Sequence, residues 1–352
     1  MFKNKIVKFP IKDLSGKVCT EPFNTINVTT SGDVFLCPCE GWHPTVVGNL
    51  FENNIQEILS SDLAQDIRNS IRKGTYEYCN ESQCGIMANN QLLDSTSLMN
   101  EDKERFEDSD SYFHPRYVYL AGDQTCNLSC PSCRKKVINL DDNTLVKNKS
   151  VMSMVSEQVF NDQSDQPVVV HISSAGEVFA SQQMMLFLEN FPLDRYPKLV
   201  LNLQTNGLLL KNRWHRIQHL ADNLRRISIT ADSQDPITYE KLRRGGTLKK
   251  LEENLEFVKE LHEKYKFIYY SIRMVVQKDN ANELEDFYHW ATSYGCTHVD
   301  YLRISNWGTY SNKEFSSIDV LNPKHELYND TVNRLRQLKT KYKNVLFFNF
   351  NI

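Results

Sequence analysis

The chain of 352 residues carries 41 Lys and Arg against 44 Asp and Glu, a formal net charge of −3, with 40% hydrophobic and 24% charged residues. This composition suits one large α/β domain plus a smaller one, and it argues against a basic field for nucleic acid or an anionic membrane surface. The opening MFKNKIVKFPIK lacks the apolar core of a secretory signal and no apolar run approaches the roughly 18 residues of a membrane span, so a cytoplasmic protein is expected.

Residues 13–95 read as a small cysteine-bearing region. Thr25–Val28 alternates into the turn signal Thr29-Thr30-Ser31-Gly32-Asp33, and Val34-Phe35-Leu36 resumes as a strand, which predicts a hairpin ending on Cys37-Pro38-Cys39. After Gly48-Asn49-Leu50, apolar Ile55, Ile58, Leu59, Leu63, Ile67 and Ile71 recur at helical spacing, predicting a helix that stops at Gly74. Residues 100–113 are acidic and polar and read as an exposed linker.

From about residue 115 strands and helices alternate. Strands are predicted at Tyr117–Ala121, Pro167–Ser173, Leu199–Gln204, Arg226–Ala231, Ile268–Gln277 and His298–Ile304, and helices at Gln182–Asn190, Trp214–Asn223, Leu248–Lys264 and Glu283–Tyr294. A helix over 324–343 and a strand at Val345–Phe350 complete the chain. Six βα units predict an α/β fold whose parallel sheet curves into a partial (β/α)6 TIM-like barrel. The expected divisions are 1–99, the linker 100–113, the barrel 114–320 and a closing helix and strand at 321–352.

Nine cysteines in a chain without an export signal point to metal or cluster ligation rather than disulfides. Cys19, Cys37, Cys39, Cys79 and Cys84 lie in the first quarter, Cys126, Cys130 and Cys133 form one knot, and Cys296 stands alone. The knot has C-x3-C-x2-C spacing directly after the first barrel strand, where such folds place chemistry. Three thiolates can hold three irons of a [4Fe–4S] cube and leave the fourth open to a chelating ligand. A structural zinc knuckle is the alternative, but no fourth cysteine or nearby histidine follows.

With this knot and four later motifs, the sequence resembles the radical S-adenosylmethionine (SAM) superfamily over about 190 residues. Ser173-Ser174-Ala175-Gly176-Glu177 is similar to that family's Gly-Gly-Glu segment, with Ala175 in place of the first glycine, and Gln204-Thr205-Asn206-Gly207 to its Thr-Asn-Gly. Ile227-Ser228-Ile229 through Thr238–Gly246 resembles the fourth strand and its helix, and Val275–Asn280 the end of the fifth strand. Thr230 stands where many relatives carry Asp, with Asp232 close by, and Ser132 occupies an often aromatic position. The resemblance implies a SAM-binding [4Fe–4S] cluster on Cys126, Cys130 and Cys133, with Gly176, Glu177, Asn206, Ser228 and Arg243 contacting SAM. It also implies reductive cleavage of SAM to a 5′-deoxyadenosyl radical that abstracts a substrate hydrogen, with a flavodoxin- or ferredoxin-type electron donor.

Cys19, Gly32 and Cys37, then Gly48-Asn49-Leu50 and Cys79-x4-Cys84, resemble the SPASM/twitch pattern of auxiliary-cluster domains. That resemblance implies a second [4Fe–4S] cluster on Cys19, Cys37, Cys79 and Cys84, with Cys39 as a substitute ligand or a bystander. A zinc site on Cys37, Cys39, Cys79 and Cys84 is the alternative. Relatives usually place this domain after the barrel, so here it is expected to fold back over the barrel mouth by another connection.

Cys296 lies in a helix-to-strand turn on the stability face and reads as a buried thiol, and His171 as a hydrogen-bonded core histidine. Trp307 either lines the substrate pocket or caps the core. The expected activity is radical modification of a peptide or protein by crosslinking, epimerisation or oxidation. Dehydrogenation or epimerisation of a sugar or glycan precursor is the second reading, and a non-catalytic zinc-binding interaction protein the third. The winged-helix leader-binding segment of many peptide maturases finds no room in this sequence. The catalytic acid or base stays unassigned.

Overall fold

The computed structural model describes residues 6–88, 90–108, 114–121, 123–138, 140, 142–160, 166–172 and 176–348. The chain forms two compact units, one of residues 1–123, 141–173 and 190–200, the other of 124–140, 174–189 and 201–352.

The first unit holds β1 (Lys17–Val18), β2 (Thr25–Val28), β3 (Asp33–Phe35), β4 (Gly48–Asn49), β5 (Leu93–Asp94), β6 (Tyr117–Leu120) and β7 (Val168–Ile172). β1 pairs antiparallel with β5. β2 and β3 are the predicted hairpin, Asn27 opposite Phe35, and β4 adds antiparallel to β3. At the hairpin turn Gly32 has φ +84°, and a Cβ there would stand 2.9 Å from the Phe51 ring, so both conformation and space favour glycine. β2 also runs parallel to β6, Thr25 opposite Tyr117, and β6 parallel to β7, Tyr119 opposite His171. Ile26, Val28, Val34, Val118 and Leu120 are fully buried along these strands.

The helix predicted from Ile55 to Gly74 is two helices, Ile55–Ser60 and Asp62–Arg72. Ser61 between them is extended, with ψ 153°, and its hydroxyl accepts the Ala64 N–H. A serine that can cap the next helix ends the previous one. Asn54 and Glu57 form a reciprocal capping box at the first start. Gly74 closes the second helix at φ +72°, with a Cβ position 2.6 Å from the Ser15 nitrogen.

Within the segment predicted as a linker, Asn100–Glu107 are helical. The reason is pairing: Arg116 forms ion pairs with Glu101 and, at 2.9 Å, Asp102, while buried Arg105 donates to the carbonyls of Phe23 and His114. Residues 109–113 of that segment lie outside the described residues.

The second unit holds most of β8 (Leu199–Thr205), then β9 (Leu224–Thr230), β10 (Tyr269–Val276), β11 (His298–Arg303) and β12 (Val345–Phe348). Each runs parallel to the next, with Ser271 of β10 opposite Ser228 of β9 and His298 of β11. Along β10, Tyr270, Ile272, Met274 and Val276 are fully buried, while the alternate residues Tyr269, Ser271 and Arg273 face the other way. Helix Leu248–Tyr265 buries Leu248, Leu251, Leu255, Val258 and Leu261, the spacing of one apolar stripe. Helices Leu284–Ser293 and Tyr328–Lys341 follow the predicted positions. The helix predicted over Trp214–Asn223 is instead two 3-10 turns, Trp214–Arg216 and Gln218–Asn223. Residues 349–350 of the predicted last strand lie outside the described residues.

The architecture is therefore α/β with a large, mostly parallel sheet, consistent with a partial barrel and an N-terminal cysteine-bearing region. Among the described residues no helix is long and apolar enough to cross a membrane.

Candidate functional site

No disulfide joins any of the nine cysteines. In the second unit the loop bearing Cys126, Cys130 and Cys133 winds into a turn in which the Cys130 carbonyl accepts the N–H groups of Cys133 and Arg134. Arg244 holds this loop: its Nε donates to Ser129 Oγ at 3.1 Å and its Nη2 to the carbonyl oxygens of Ser129 and Lys135 at 2.6 and 3.2 Å. The Ser129 N–H returns a bond to the Arg244 carbonyl. The Glu177 N–H binds the Thr125 carbonyl at 2.8 Å, and Arg134 Nη1 the Gln124 carbonyl at 2.7 Å.

Each sulfur of the loop has a donor. Asn206 Nδ2 stands 3.9 Å from Cys126 Sγ and donates to Asn127 Oδ1 at 2.9 Å. Arg243 Nη1 is 3.8 Å from Cys130 Sγ, and Arg134 Nη2 is 3.5 Å from Cys133 Sγ. Burial pushes the Cys126 and Cys130 thiols up, and beside Cys130 the Arg243 guanidinium opposes that shift. Converging cationic and amide donors suit thiolates that carry a cluster.

Asn206 and Arg243 thus meet the cysteine loop as side chains. Glu177, 2% exposed, accepts from Thr205 Oγ1 at 2.5 Å and from the N–H groups of Asn206 and Phe179 at 2.7 and 3.2 Å. Burial raises its carboxyl despite these donors. Gly176 is partly exposed; Ser173, Ser174 and Ala175 of the same motif lie outside the described residues. Ser228 Oγ accepts from Ser271 Oγ at 3.0 Å, and among the described bonds nothing ties it to the loop.

The sequence reading did not single out Arg244, Arg134 or Thr205. Arg244 had one signal, its place beside Gly245-Gly246, where Gly245 takes φ +100° next to the Asn127–Leu128 backbone. Asp232, noted only as close to Thr230, stands 2.9 Å from Arg243 Nε as an ion pair without hydrogen-bond alignment. Burial opposes the charge on Arg243, but Asp232 and Cys130 overcome it and raise the guanidinium. Asp232 has φ +72°, and its Oδ1 accepts the Val275 N–H at 2.8 Å.

In the first unit Cys19, Cys37, Cys79 and Cys84 line one cavity, with Trp42, His43, Tyr76, Ile86 and Met87 among its other walls. Cys39 does not line it; its carbonyl accepts the N–H groups of Trp42 and His43. Burial pushes all four lining thiols up, Cys79 to about 12. Without a cation these are neutral thiols; a cluster is what would hold them as thiolates, so the donor set fits one. Among the described residues no group of three or more His, Cys, Asp or Glu side chains is placed to hold a single metal ion. His43 is 1% exposed, stacks on Tyr78 with centroids 6.3 Å apart, and has no hydrogen-bond partner at either ring nitrogen among the described residues. Burial pulls its pKa down to about 4.

The polar face of β8–β11 is also ordered. Arg273 binds buried Asp300 at 2.8 Å and Gln204 Oε1 at 2.9 Å, and the Tyr269 hydroxyl donates to Asp300 at 2.6 Å. His171 is half-buried and stacks on Tyr119 at 4.2 Å, and Trp307, 74% exposed, does not cap the core. Cys296 is buried, with its thiol 3.4 Å from the Ala291 carbonyl and pushed up to about 12 by burial.

Residues 124–291 match the family model of the radical SAM superfamily, and residues 19–85 that of SPASM, an iron–sulfur cluster-binding domain. A probable GTP 3′,8-cyclase of Methanococcus maripaludis is 24% identical over 131 residues, 37% of this chain and 41% of the cyclase. Among solved structures, anSMEcpe with bound AdoMet is 18% identical with TM-score 0.41, over 66% of this chain and 60% of that one. SuiB of Streptococcus suis bound to precursor peptide SuiA is 11% identical with TM-score 0.45, over 94% of this chain and 72% of that one. The chain thus spans about two fifths of the curated relative and three fifths of anSMEcpe.

Proposed function

The chain belongs to the radical SAM superfamily and carries an iron–sulfur cluster-binding SPASM domain, and from that premise we propose that it removes a hydrogen atom from an unactivated C–H bond of a peptide or protein. The outcome would be a crosslink, an epimerised centre or an oxidised residue. The observation that carries the radical reading is the convergence of Asn206, Arg243 and Arg134 on the sulfurs of Cys126, Cys130 and Cys133. What supports a peptide substrate is the polar wall of β8–β11, where exposed Gln204 and partly exposed Arg273 can bind amides and charged side chains, with Tyr269 and buried Asp300 holding them from beneath.

Cys126, Cys130 and Cys133 would hold the SAM-binding [4Fe–4S] cluster, Gly176, Glu177, Asn206, Ser228 and Arg243 the SAM, and Cys19, Cys37, Cys79 and Cys84 an auxiliary cluster. When bound, these groups supply one-electron cleavage of the sulfonium and abstraction of hydrogen. The chain supplies the setting. Arg244 keeps the cysteine loop in one conformation, so the sulfurs need no reorganisation. The Arg243–Asp232 pair sets a fixed positive charge beside Cys130. Glu177, held by Thr205 and the Asn206 N–H, offers carboxylate oxygens to an ammonium group. Buried Asp300 fixes the orientation of Arg273 on the polar wall.

The test is anaerobic reconstitution with SAM, dithionite and peptides encoded beside the gene. Formation of 5′-deoxyadenosine, with loss of two hydrogens from a peptide or unchanged mass with deuterium uptake, is expected. Turnover of a nucleotide-linked sugar with no change in any peptide overturns the peptide assignment and leaves the radical one standing.

A further inference from the structure

Backbone bonds set the loop 39–43, with His43, beside the four-cysteine cavity. The N–H groups of Trp42 and His43 close onto the Cys39 carbonyl at 3.0 and 3.2 Å, and the Asn80 N–H binds the Trp42 carbonyl at 2.8 Å. The Asn80 bond ties this loop to the segment bearing Cys79 and Cys84. His43 is 1% exposed, it lines the cavity, and neither nitrogen has a partner among the described residues. Whichever tautomer is present, an imidazole carries at least one N–H, and a buried N–H without an acceptor is costly. Among the described residues the ring stacks on Tyr78, a contact that uses neither nitrogen.

Four cysteines line the cavity, enough for every iron of a cube. The histidine is therefore not needed as a ligand, and the sulfurs of a cluster are the acceptors its N–H would otherwise lack. We infer that His43 donates a hydrogen bond to a sulfur of the auxiliary cluster and so raises the cluster's reduction potential. The inference rests on the auxiliary cluster of the proposed function. A donor to sulfur stabilises the reduced cluster, which carries one more negative charge, so removing it lowers the potential. His43 is thus a positioning residue for electron transfer.

The test uses the full chain with Cys126, Cys130 and Cys133 replaced by Ala, reconstituted anaerobically with iron and sulfide so that only the auxiliary cluster is present. Its midpoint potential is measured by EPR-monitored titration in this background and with His43→Phe or His43→Asn added. His43→Phe keeps the ring against Tyr78 without a donor, and a fall of tenfold or more in the reduction equilibrium is expected, about 59 mV for one electron. His43→Asn restores an N–H and is expected to recover at least half of that shift. An unchanged potential in His43→Phe, with iron retained, overturns the hydrogen bond alone. Loss of iron from His43→Phe but not from His43→Asn assigns the residue to ligation and overturns it too. A background protein that binds no iron overturns the auxiliary cluster and the inference together.

Discussion

The two sets of cysteines are surrounded differently. Around the loop sulfurs stand side-chain donors, Asn206 and Arg243 from distant segments and Arg134 from beside Cys133, together with the Leu128 N–H on Cys126 Sγ at 3.4 Å. At the cavity sulfurs of Cys19, Cys37 and Cys84 the donors are backbone N–H groups close in sequence: Glu21 beside Cys19, Cys39 beside Cys37, and Ile86 and Met87 beside Cys84. On the proposed function, buried side chains anchored by other partners, such as Arg243 by Asp232, place charge beside an iron that accepts SAM. Short-range backbone donors in an apolar pocket hold one geometry and exclude water, which suits a cluster that only stores or passes an electron. On the proposed function, the difference in surroundings is the difference in task.

The comparison breaks most directly at the ligands. Replacing Cys126, Cys130 and Cys133 together by Ala is expected to abolish 5′-deoxyadenosine formation and lower iron from about eight to about four per chain. Replacing Cys79 and Cys84 is expected to remove the other four and keep the EPR signal that shifts on adding SAM. Cleavage of SAM by the triple variant sinks the assignment of the loop.

Thiol reactivity sharpens the contrast in the metal-free chain. Cys133 is exposed, whereas burial holds Cys79, like Cys296, up to about 12. At pH 8 a thiol at 12 has on the order of a thousandfold less thiolate than an ordinary one. Iodoacetamide labelling followed by peptide mass spectrometry should therefore find Cys133 alkylated long before Cys19, Cys79 or Cys296. Equal rates at Cys79 and Cys133 contradict the shielding of Cys79.

Arg243→Leu probes the side-chain donors. It leaves Asp232, 3% exposed, without its guanidinium, and breaking a buried pair in this way costs about 3–5 kcal/mol. Chemical denaturation of the apo chain should show that loss. Arg243→Leu combined with Asp232→Asn should recover part of it, since the stranded charge is then gone. No recovery means that Asp232 was not the partner that mattered.

What could be read in the sequence follows from how local each signal is. Cys126, Cys130 and Cys133 sit within eight residues, and along Tyr269–Val276 apolar Tyr270, Ile272, Met274 and Val276 alternate with Ser271 and Arg273 as a strand does. Helix Asp142–Gln158 escaped notice because its buried Val151, Met152 and Val155 crowd into the second half and give no sustained stripe. The split at Ser61 escaped because apolar spacing runs through a residue whose hydroxyl decides the break. The parallel pairing of β2 with β6 joins Thr25 to Tyr117, and nothing in either segment announces so distant a neighbour. The linker's acidic run looked solvated because its partner, Arg116, comes after it.

Arg244 is the site residue that the sequence hid best and the one whose loss should be subtlest. Its neighbour Arg243 points at a sulfur, but Arg244 touches none: it binds Ser129 Oγ and the carbonyl oxygens of Ser129, Arg134 and Lys135. Only a planar fork with several donors reaches such a spread, so lysine is a poor substitute. Arg244→Ala removes charge-assisted bonds of about 1.5–3 kcal/mol each in favourable cases, yet the freed carbonyls can turn to water. The expected result is full iron content, weaker SAM binding by about tenfold, or about 1.4 kcal/mol, and an intermediate value for Arg244→Lys. Equilibrium dialysis with labelled SAM on the reconstituted protein measures it. If affinity is unchanged while iron is lost, Arg244 serves assembly of the loop around the cluster, and the rigidity assigned to it at the SAM site belongs to Asn206 and Arg134 instead.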